Sequence, residues 1–142
     1  MKTTYTKSVD ADKKWHIVNL KGLTLGRVST EIANILMGKT KPTYSTSQDM
    51  GDFVIAINSK NVKLTGNKLK DKLYRKHTGH MGGLREITAE KLLDKDPTQI
   101  IKHAVKGMLP KGVLGRAMFK KLKVYSGSEH PHSAQNPQEL QL

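Results

Sequence analysis

The chain has 142 residues, enough for one domain with its own core, and its 25 Lys and Arg against 12 Asp and Glu give a formal net charge of +13. This charge predicts a polyanionic partner, most simply nucleic acid. No apolar run approaches the ~20 residues of a membrane span, and zero cysteines exclude disulfides, thiol catalysis and thiolate zinc sites. The polar N-terminal sequence lacks a signal-peptide core, so we expect a soluble, cytoplasmic protein without a membrane partner.

The first forty residues predict an arm, a strand and a helix. Residues 1–14 are polar and aperiodic, as in an N-terminal arm that orders only against another surface. Trp15 to Leu20 alternates apolar and polar side chains and predicts a strand. Apolar residues then recur at helical spacing between Thr24, a candidate N-cap, and Gly38, a candidate C-cap, which predicts an amphipathic helix.

A second strand is predicted after the polar loop of residues 39–51. Asp52 to Asn58 is continuously apolar at its centre, which is the pattern of a strand buried on both faces in a parallel sheet. The order strand, helix, strand implies a right-handed crossover unit. The predicted fold class is therefore α/β.

Residues 59–76 form a basic cluster, with seven Lys and Arg against the single acid Asp71. Short strands are predicted on both sides of the turn at residues 65–67, one around Val62 and Leu64 and one at Leu73 and Tyr74. A glycine-rich stretch and an acidic helix are expected to follow. The outer face of that helix is predicted to carry Glu86, Glu90, Asp94 and Asp96.

The segment from Lys102 to Tyr125 carries the strongest functional signal. It continues a helix that Asp96 is predicted to cap and Pro97 to begin. No acid occurs between residues 97 and 128, so its seven Lys and Arg lack local acidic partners and predict a counterion outside the chain. The alternative is a solvated amphipathic helix pair, which is about as common for a single basic run.

Glycine, proline and helical spacing divide this basic segment further. Gly107 is predicted to end the first helix, and Pro110 cannot continue it. In the second helix, one predicted stripe faces the core and another faces the ligand. The core stripe is Leu114, Met118 and Leu122, and the ligand stripe is Arg116, Lys120 and Lys123.

The C-terminal residues predict little regular structure. Val124 and Tyr125 are a candidate last short strand. Residues 126–142 are rich in Pro, Ser and Gln, so we expect a C-terminal tail that follows a surface instead of adding to the core. The chain is predicted to be one domain, residues 1–142.

Two histidine motifs are candidate sites. His77-Thr78-Gly79-His80 matches the HxGH motif of nucleotidyl transferases, but there the motif lies near the chain start and opens a long helix. Here contact with a phosphate backbone is the expected role, and a nucleotidyl transferase stays as the alternative. His130 and His132 lack an evident third ligand, so no metal or cofactor is predicted. Aromatic residues are too few for a base-stacking platform, which favours binding through backbone and shape.

Several motifs together carry a family resemblance. They are Thr24-Leu25-Gly26-Arg27, Gly51-Asp52, Thr65-Gly66-Asn67-Lys68, His77-Thr78-Gly79-His80 with Gly82-Gly83, the run from Val105 to Gly112, Leu114-Gly115-Arg116, and Glu129-His130-Pro131-His132 with Gln135 and Pro137. Nearly end to end, the chain resembles the bacterial-type large ribosomal subunit protein thirteen family. One departure is Thr46-Ser47, where the family often has Pro-His.

The resemblance implies a three-layer α/β/α domain around a short parallel sheet of about four strands, with extended tails. It also implies no enzymatic activity, no small-molecule substrate, binding to large-subunit ribosomal RNA beside neighbouring ribosomal proteins, and a role early in subunit assembly. A messenger- or DNA-binding regulator shares the charge but would need base readout that the sequence does not display. The predicted RNA-binding residues are Lys68, Arg75, Lys76, His77, His80, Lys106, Lys111, Arg116, Lys120, Lys121 and Lys123.

Overall fold

A four-stranded parallel sheet forms the centre of the computed structural model, which describes residues 6–7 and 11–140. The strand order is β5-β2-β1-β6, and β3 and β4 form a separate antiparallel hairpin. The strands are β1 (Trp15–Asn19), β2 (Phe53–Ile57), β3 (Leu73–His77), β4 (Leu84–Thr88), β5 (Leu122–Val124) and β6 (Gln138–Leu140). The helices are α1 (Leu25–Met37), α2 (Lys68–Asp71), α3 (Ala89–Lys95), α4 (Pro97–Met108) and α5 (Val113–Lys120), with 3-10 turns at Ser59–Asn61 and Ser133–Gln135.

The unit β1-α1-β2 follows the prediction from apolar periodicity. The two strands pair in parallel, with Trp15 opposite Phe53. Helix α1 ends at Gly38, whose φ of 79° is left-handed and whose N–H donates to the last-turn carbonyls, as a glycine C-cap does. Thr24 takes the N-cap position, but its side chain makes no capping hydrogen bond. The α/β class with four parallel strands is confirmed.

The two faces of the sheet are covered differently. The face toward the helices forms the main core, with Val18, Val54, Ala56, Leu122 and Val124 packed among apolar residues of α1 and α4. On the other face, the rings of Trp15 and Phe53 stack with centroids 4.4 Å apart. His132, from the segment between β5 and β6, lies 5.3 Å from the Trp15 ring. That C-terminal segment therefore contributes the covering of the second face.

The C-terminal tail does more than follow a surface. β6 pairs in parallel with β1, with Ile17 opposite Glu139, so it adds the fourth strand of the sheet. The prediction that residues 126–142 only follow a surface is therefore wrong for β6, which adds an edge strand to the sheet. The last strand predicted at Val124 and Tyr125 is β5, which begins at Leu122 and ends at Val124. Part of the predicted N-terminal arm, residues 1–5 and 8–10, lies outside the described residues.

The region between β2 and α4 differs most from its prediction. No strand forms around Val62 in the described chain; instead Lys63 makes a single parallel bridge to Thr24. The strand predicted at Leu73 and Tyr74 is β3. Strand β4 was not predicted, because its apolar residues do not alternate and its side chains are largely exposed. Glu86 therefore belongs to a strand, and the acidic helix α3 begins only at Ala89.

A buried carboxylate joins the start of β2 to the polar loop before it. Asp52 accepts hydrogen bonds from the Lys41 ammonium at 2.5 Å, from the Lys14 backbone N–H at 2.9 Å, and from His16 Nε2 at 3.2 Å if that nitrogen is protonated. Burial acts to raise the pKa of Asp52, but these hydrogen bonds outweigh it and hold that pKa below its usual value. The loop of residues 39–51 is thereby tied to the sheet.

Candidate nucleic-acid interface

Helix α4 positions the first half of the candidate interface. Asp96 caps it by accepting from the Thr98 N–H at 3.0 Å, and Pro97 occupies its first turn. Hydrogen bonds from Thr98, in opposition to burial, lower the pKa of Asp96. The helix continues one residue past Gly107, so the predicted end at that glycine is wrong, but Pro110 does lie just beyond the helix. The cap and proline signals were thus sufficient to find this element.

Gly115 allows α5 to pack directly on the connection from α4. A Cβ at this buried position would overlap the carbonyl oxygen of Pro110. The sequence Pro110 to Gly115 therefore specifies a close approach between the start of α5 and the end of α4. This contact sets the separation of the basic side chains that the two helices carry.

We expect Gly115→Ala to destabilise the fold by about 1 to 3 kcal/mol, as overpacking of a closed contact does. Urea denaturation followed by circular dichroism measures the change. Gly107→Ala is the matched control, because a Cβ there meets no atom within 4 Å in an exposed helix turn. The control should be neutral or slightly stabilising. Equal stability of the two variants would contradict the close packing at Gly115.

A groove of about 490 Å³ lies along this helix pair. Its apolar lining is Leu109, Pro110 and Phe119. Its basic rim, which we call the groove cations, consists of Lys106, Lys111, Arg116 and Lys120. All four side chains are exposed. The structure therefore gathers four of the predicted RNA-binding residues at one site.

A smaller groove of about 140 Å³ continues this surface. Lys106 and Phe119 line both grooves, and Gln99, Lys102 and His103 complete the smaller one. Neither Lys102, His103 nor Phe119 was among the predicted site residues. Lys102 lies in the acid-free basic run, but a sequence does not show which of its members share a groove.

Four acids of the described residues, Asp12, Asp49, Asp52 and Glu86, form ion pairs with cations outside the groove. Near the start of the sheet, Asp49 pairs with Lys13 and Lys121, and Asp52 pairs with Lys41. Glu86 pairs with Arg75. Within the described part of the chain, none of the groove cations forms an ion pair. Their charge is therefore available to an external anion.

The β3–β4 hairpin carries the second group of predicted residues. Arg75 and Glu86 face each other across the strands, with Nε 2.5 Å from the carboxylate. Lys76 lies opposite Arg85, and like charges at directly opposed positions are unfavourable unless an anion separates them. The pair fits a phosphate, and Arg85 is a candidate that the sequence did not reveal because the strand register was unknown.

Tyr74 connects this hairpin to α4. Its ring lies 5.7 Å from that of His103, and it packs against the main core. Burial raises the pKa of the Tyr74 hydroxyl. Because Tyr74 and Lys76 are two residues apart in one strand, they point to the same side of the hairpin. Lys76 and Arg85 therefore lie on the side of the hairpin that faces His103 of α4, whereas Arg75 lies on the opposite side. Lys68, on the one-turn helix α2, is exposed and donates to Thr65 Oγ1 at 3.1 Å.

The HxGH motif forms the tip of the hairpin. The Gly79 N–H donates to His77 Nδ1 at 3.0 Å, and the Thr78 N–H donates to the Gly83 carbonyl at 3.0 Å. Gly79 and Gly82 have left-handed φ values of 88° and 68°, which suits a tight turn. His77 and His80 are both exposed here. The motif does not open a helix, unlike the nucleotidyl transferase arrangement.

Lys121 does not belong to the interface. Helix α5 ends at Lys120, and Lys121 is 5% exposed. Its ammonium donates to Asp49 at 2.5 Å and to the carbonyls of Gly51 and Leu36 at 2.9 and 3.2 Å. Burial lowers the pKa of Lys121, in opposition to Asp49. The prediction that its counterion lies outside the chain is wrong.

Lys123 is also separated from the groove. It lies in β5 and not in the second helix, so the predicted helical stripes do not extend to residues 122 and 123. Its neighbours Leu122 and Val124 face the helix layer, which places Lys123 on the other side of the sheet. Met118, from the predicted core stripe, is 2% exposed and does pack in the core.

The histidines near the C-terminus have structural partners. His132 Nε2 lies 2.7 Å from the Tyr125 hydroxyl, and His130 Nδ1 accepts from the His132 N–H at 3.3 Å. Among residues 6–7 and 11–140, no three His, Asp or Glu side chains are grouped as metal ligands. Over the same residues, no helix is both long and apolar enough to cross a bilayer.

Comparison with known proteins agrees with this arrangement. Residues 13–131 match the family described as ribosomal protein L13. The chain is 55% identical over 142 residues to large ribosomal subunit protein uL13 of Geobacter sp. strain M21, covering all of both chains. It is 54% identical to the proteins of that name from Teredinibacter turnerae, covering all of both chains, and from Brevibacillus brevis, covering 100% and 99%. These are ribosomal proteins and not enzymes, so the nucleotidyl transferase alternative is discarded. The chain belongs to the ribosomal protein L13 family.

Proposed function

We propose that this chain is a structural constituent of the large ribosomal subunit that binds large-subunit ribosomal RNA through one continuous basic surface. The surface comprises the groove cations of α4 and α5 together with Lys76 and Arg85 of the β3–β4 hairpin. The single observation that carries the proposal is that four exposed cations line one groove and none of them forms an ion pair within the described residues.

The geometry of this surface assigns different contacts to its parts. Exposed Lys and Arg contact phosphates and fix orientation without reading sequence. The hairpin projects a pair of opposed cations, Lys76 and Arg85, and its tip adds the imidazoles of His77 and His80. An RNA backbone that crosses from the hairpin to the groove would meet positive charge along the whole path. Lys121 and Lys123 are left out of this proposal because of their positions in the structure.

The proposal includes an early role in subunit assembly, in the cytoplasm, beside neighbouring ribosomal proteins. Its support is that the core around the parallel sheet closes within one chain, so the basic surface is formed before other proteins arrive. An early component should bind large-subunit RNA from which all other proteins have been removed. A requirement for pre-bound proteins would contradict early entry and leave RNA binding itself intact.

We expect binding to large-subunit RNA fragments to weaken steeply with salt. Each neutralised phosphate contributes a slope of about −0.7 to −0.9 in log affinity against log salt. Filter binding between low and moderate salt measures the slope. Arbitrary duplex DNA at matched salt is the control, and it should bind more weakly. A slope near zero would remove the RNA-binding proposal, and equal affinity for both nucleic acids would favour a general nucleic-acid binder.

A further inference from the structure

We infer that the α4–α5 groove receives a single unstacked nucleobase of the bound RNA, whose flanking phosphates lie on the groove cations. The inference rests on the proposed function and goes beyond it, because it assigns base contact to a surface that the sequence suggested would contact only backbone and shape. It concerns one pocket, lined by Leu109, Pro110 and Phe119, and not the basic surface as a whole.

The lining of the groove suits a base and not a phosphate. Leu109 is buried and closes the floor, and Phe119 is half-buried, so part of its ring remains accessible. Gly115 also lines the groove, beside Pro110 and Phe119. A volume of about 490 Å³ falls within the roughly 300–1,000 Å³ typical of small-molecule sites. A phosphate alone would gain nothing from this apolar interior.

The rim identifies the chemistry of the occupant. The four groove cations surround the apolar lining, and none has an ion-pair partner in the described chain. An apolar peptide would cover the lining but leave these charges uncompensated. A nucleotide satisfies both parts, because its base is a flat ring with a π-face and its phosphates are anionic. Bases are available in this way where RNA is single-stranded, in loops, bulges and ends.

Phe119 provides the stacking surface in this arrangement. It lines both the larger groove and its smaller continuation, together with Lys106. A base against its ring would therefore lie between two stretches of positive rim. One aromatic ring is enough for one base, even though the chain has too few aromatic residues for a stacking platform.

Photocrosslinking of the full chain bound to large-subunit RNA tests where a base lies. Irradiation at a wavelength absorbed by the bases, followed by nuclease digestion and mass spectrometry, should give a nucleotide adduct on the peptide that contains Phe119. Sequencing of the crosslinked RNA names the nucleotide. Adducts confined to the hairpin peptide, with none on α4 or α5, would overturn the inference.

A double-mutant cycle then tests the contact itself. Phe119→Ala and an abasic substitution at the crosslinked nucleotide should each weaken binding, roughly 5- to 100-fold, from the loss of one stacked base. The two changes together should weaken it no more than either alone. Val113→Ala is the control, because Val113 is a 75% exposed apolar residue of the same helix and lies outside the groove lining.

Folding and the proposed function are separated from the inference in this design. Circular dichroism checks that Phe119→Ala is folded; if it is not, Phe119→Leu removes the ring while keeping an apolar side chain in place. Additive losses in the cycle, or a folded Phe119 variant with unchanged RNA affinity, would overturn the base pocket. Loss of salt-dependent binding in the unmodified protein would instead overturn the proposed function.

Discussion

Replacing Lys121 by alanine should destabilise the fold by about 3 kcal/mol, because removal of one partner from a buried ion pair leaves the other uncompensated. The Lys121 side chain is 6% exposed, and its ammonium holds Asp49 together with two backbone carbonyls. This loss of unfolding free energy lies at the lower end of the range for such pairs, because Asp49 remains partly exposed to solvent. Asp49 also retains a second cation, Lys13, whose Nζ lies 3.8 Å from the carboxylate. Urea denaturation at neutral pH measures the effect.

Lys120→Ala is the matched control for this substitution. Lys120 is the adjacent residue, it is exposed, and its stability effect should stay within about 0.5 kcal/mol. The two variants should behave in opposite ways toward RNA: Lys121→Ala should keep its affinity per folded molecule, and Lys120→Ala should lose some. If Lys121→Ala were as stable as the unmodified protein and bound RNA weakly, Lys121 would be an RNA contact and not a structural residue.

The contrast between Lys120 and Lys121 also shows what a local pattern cannot predict. Both belong to the same acid-free run, so composition predicted an external counterion for both. The partner of Lys121 is Asp49, 72 residues earlier, in the loop that follows α1. Gly51 permits that approach, because a Cβ there would overlap the Leu36 carbonyl oxygen. Nothing in the sequence around Asp49 and Gly51 indicates that Lys121 will contact them.

The unit β1-α1-β2 could be predicted from the sequence because its signals are local. β1, α1 and β2 each bury a face whose apolar spacing matches the period of the element, and Gly38 marks the helix end. β6 could not be found in this way. It has three residues, Gln138 to Leu140, and is held mainly through its backbone pairing with β1. Its side chains carry no apolar period.

The sequence predicted some of the residues that belong to the candidate site but not how they are arranged. The absence of Asp and Glu from residues 97–128 indicated that α4 and α5 bind the ligand, and four of the predicted cations do line one groove. The opposition of Lys76 and Arg85 depends on strand register, and the place of Phe119 between two grooves depends on how α5 packs on α4. Both are contacts between distant segments, which residue periodicity does not encode.

Neutralising the groove should have the largest effect on RNA binding. We expect replacement of all four groove cations by Gln to reduce the salt slope by about 3, since each lost phosphate contact removes about 0.7 to 0.9. Stability should change little, because the four side chains are exposed and form no ion pairs within the described chain. Filter binding at several salt concentrations gives the slope, and circular dichroism gives the folded fraction.

A second variant with the same net charge distinguishes local contact at the groove from long-range attraction by the charge of the whole protein. Four exposed lysines on other parts of the chain serve for this, namely Lys21, Lys39, Lys91 and Lys95. Their replacement by Gln removes the same net charge and therefore the same long-range attraction, but it should leave most of the slope in place. If both variants lost affinity and slope equally, binding would depend on net charge alone. A slope lost only from the groove variant would mean that phosphates lie against α4 and α5.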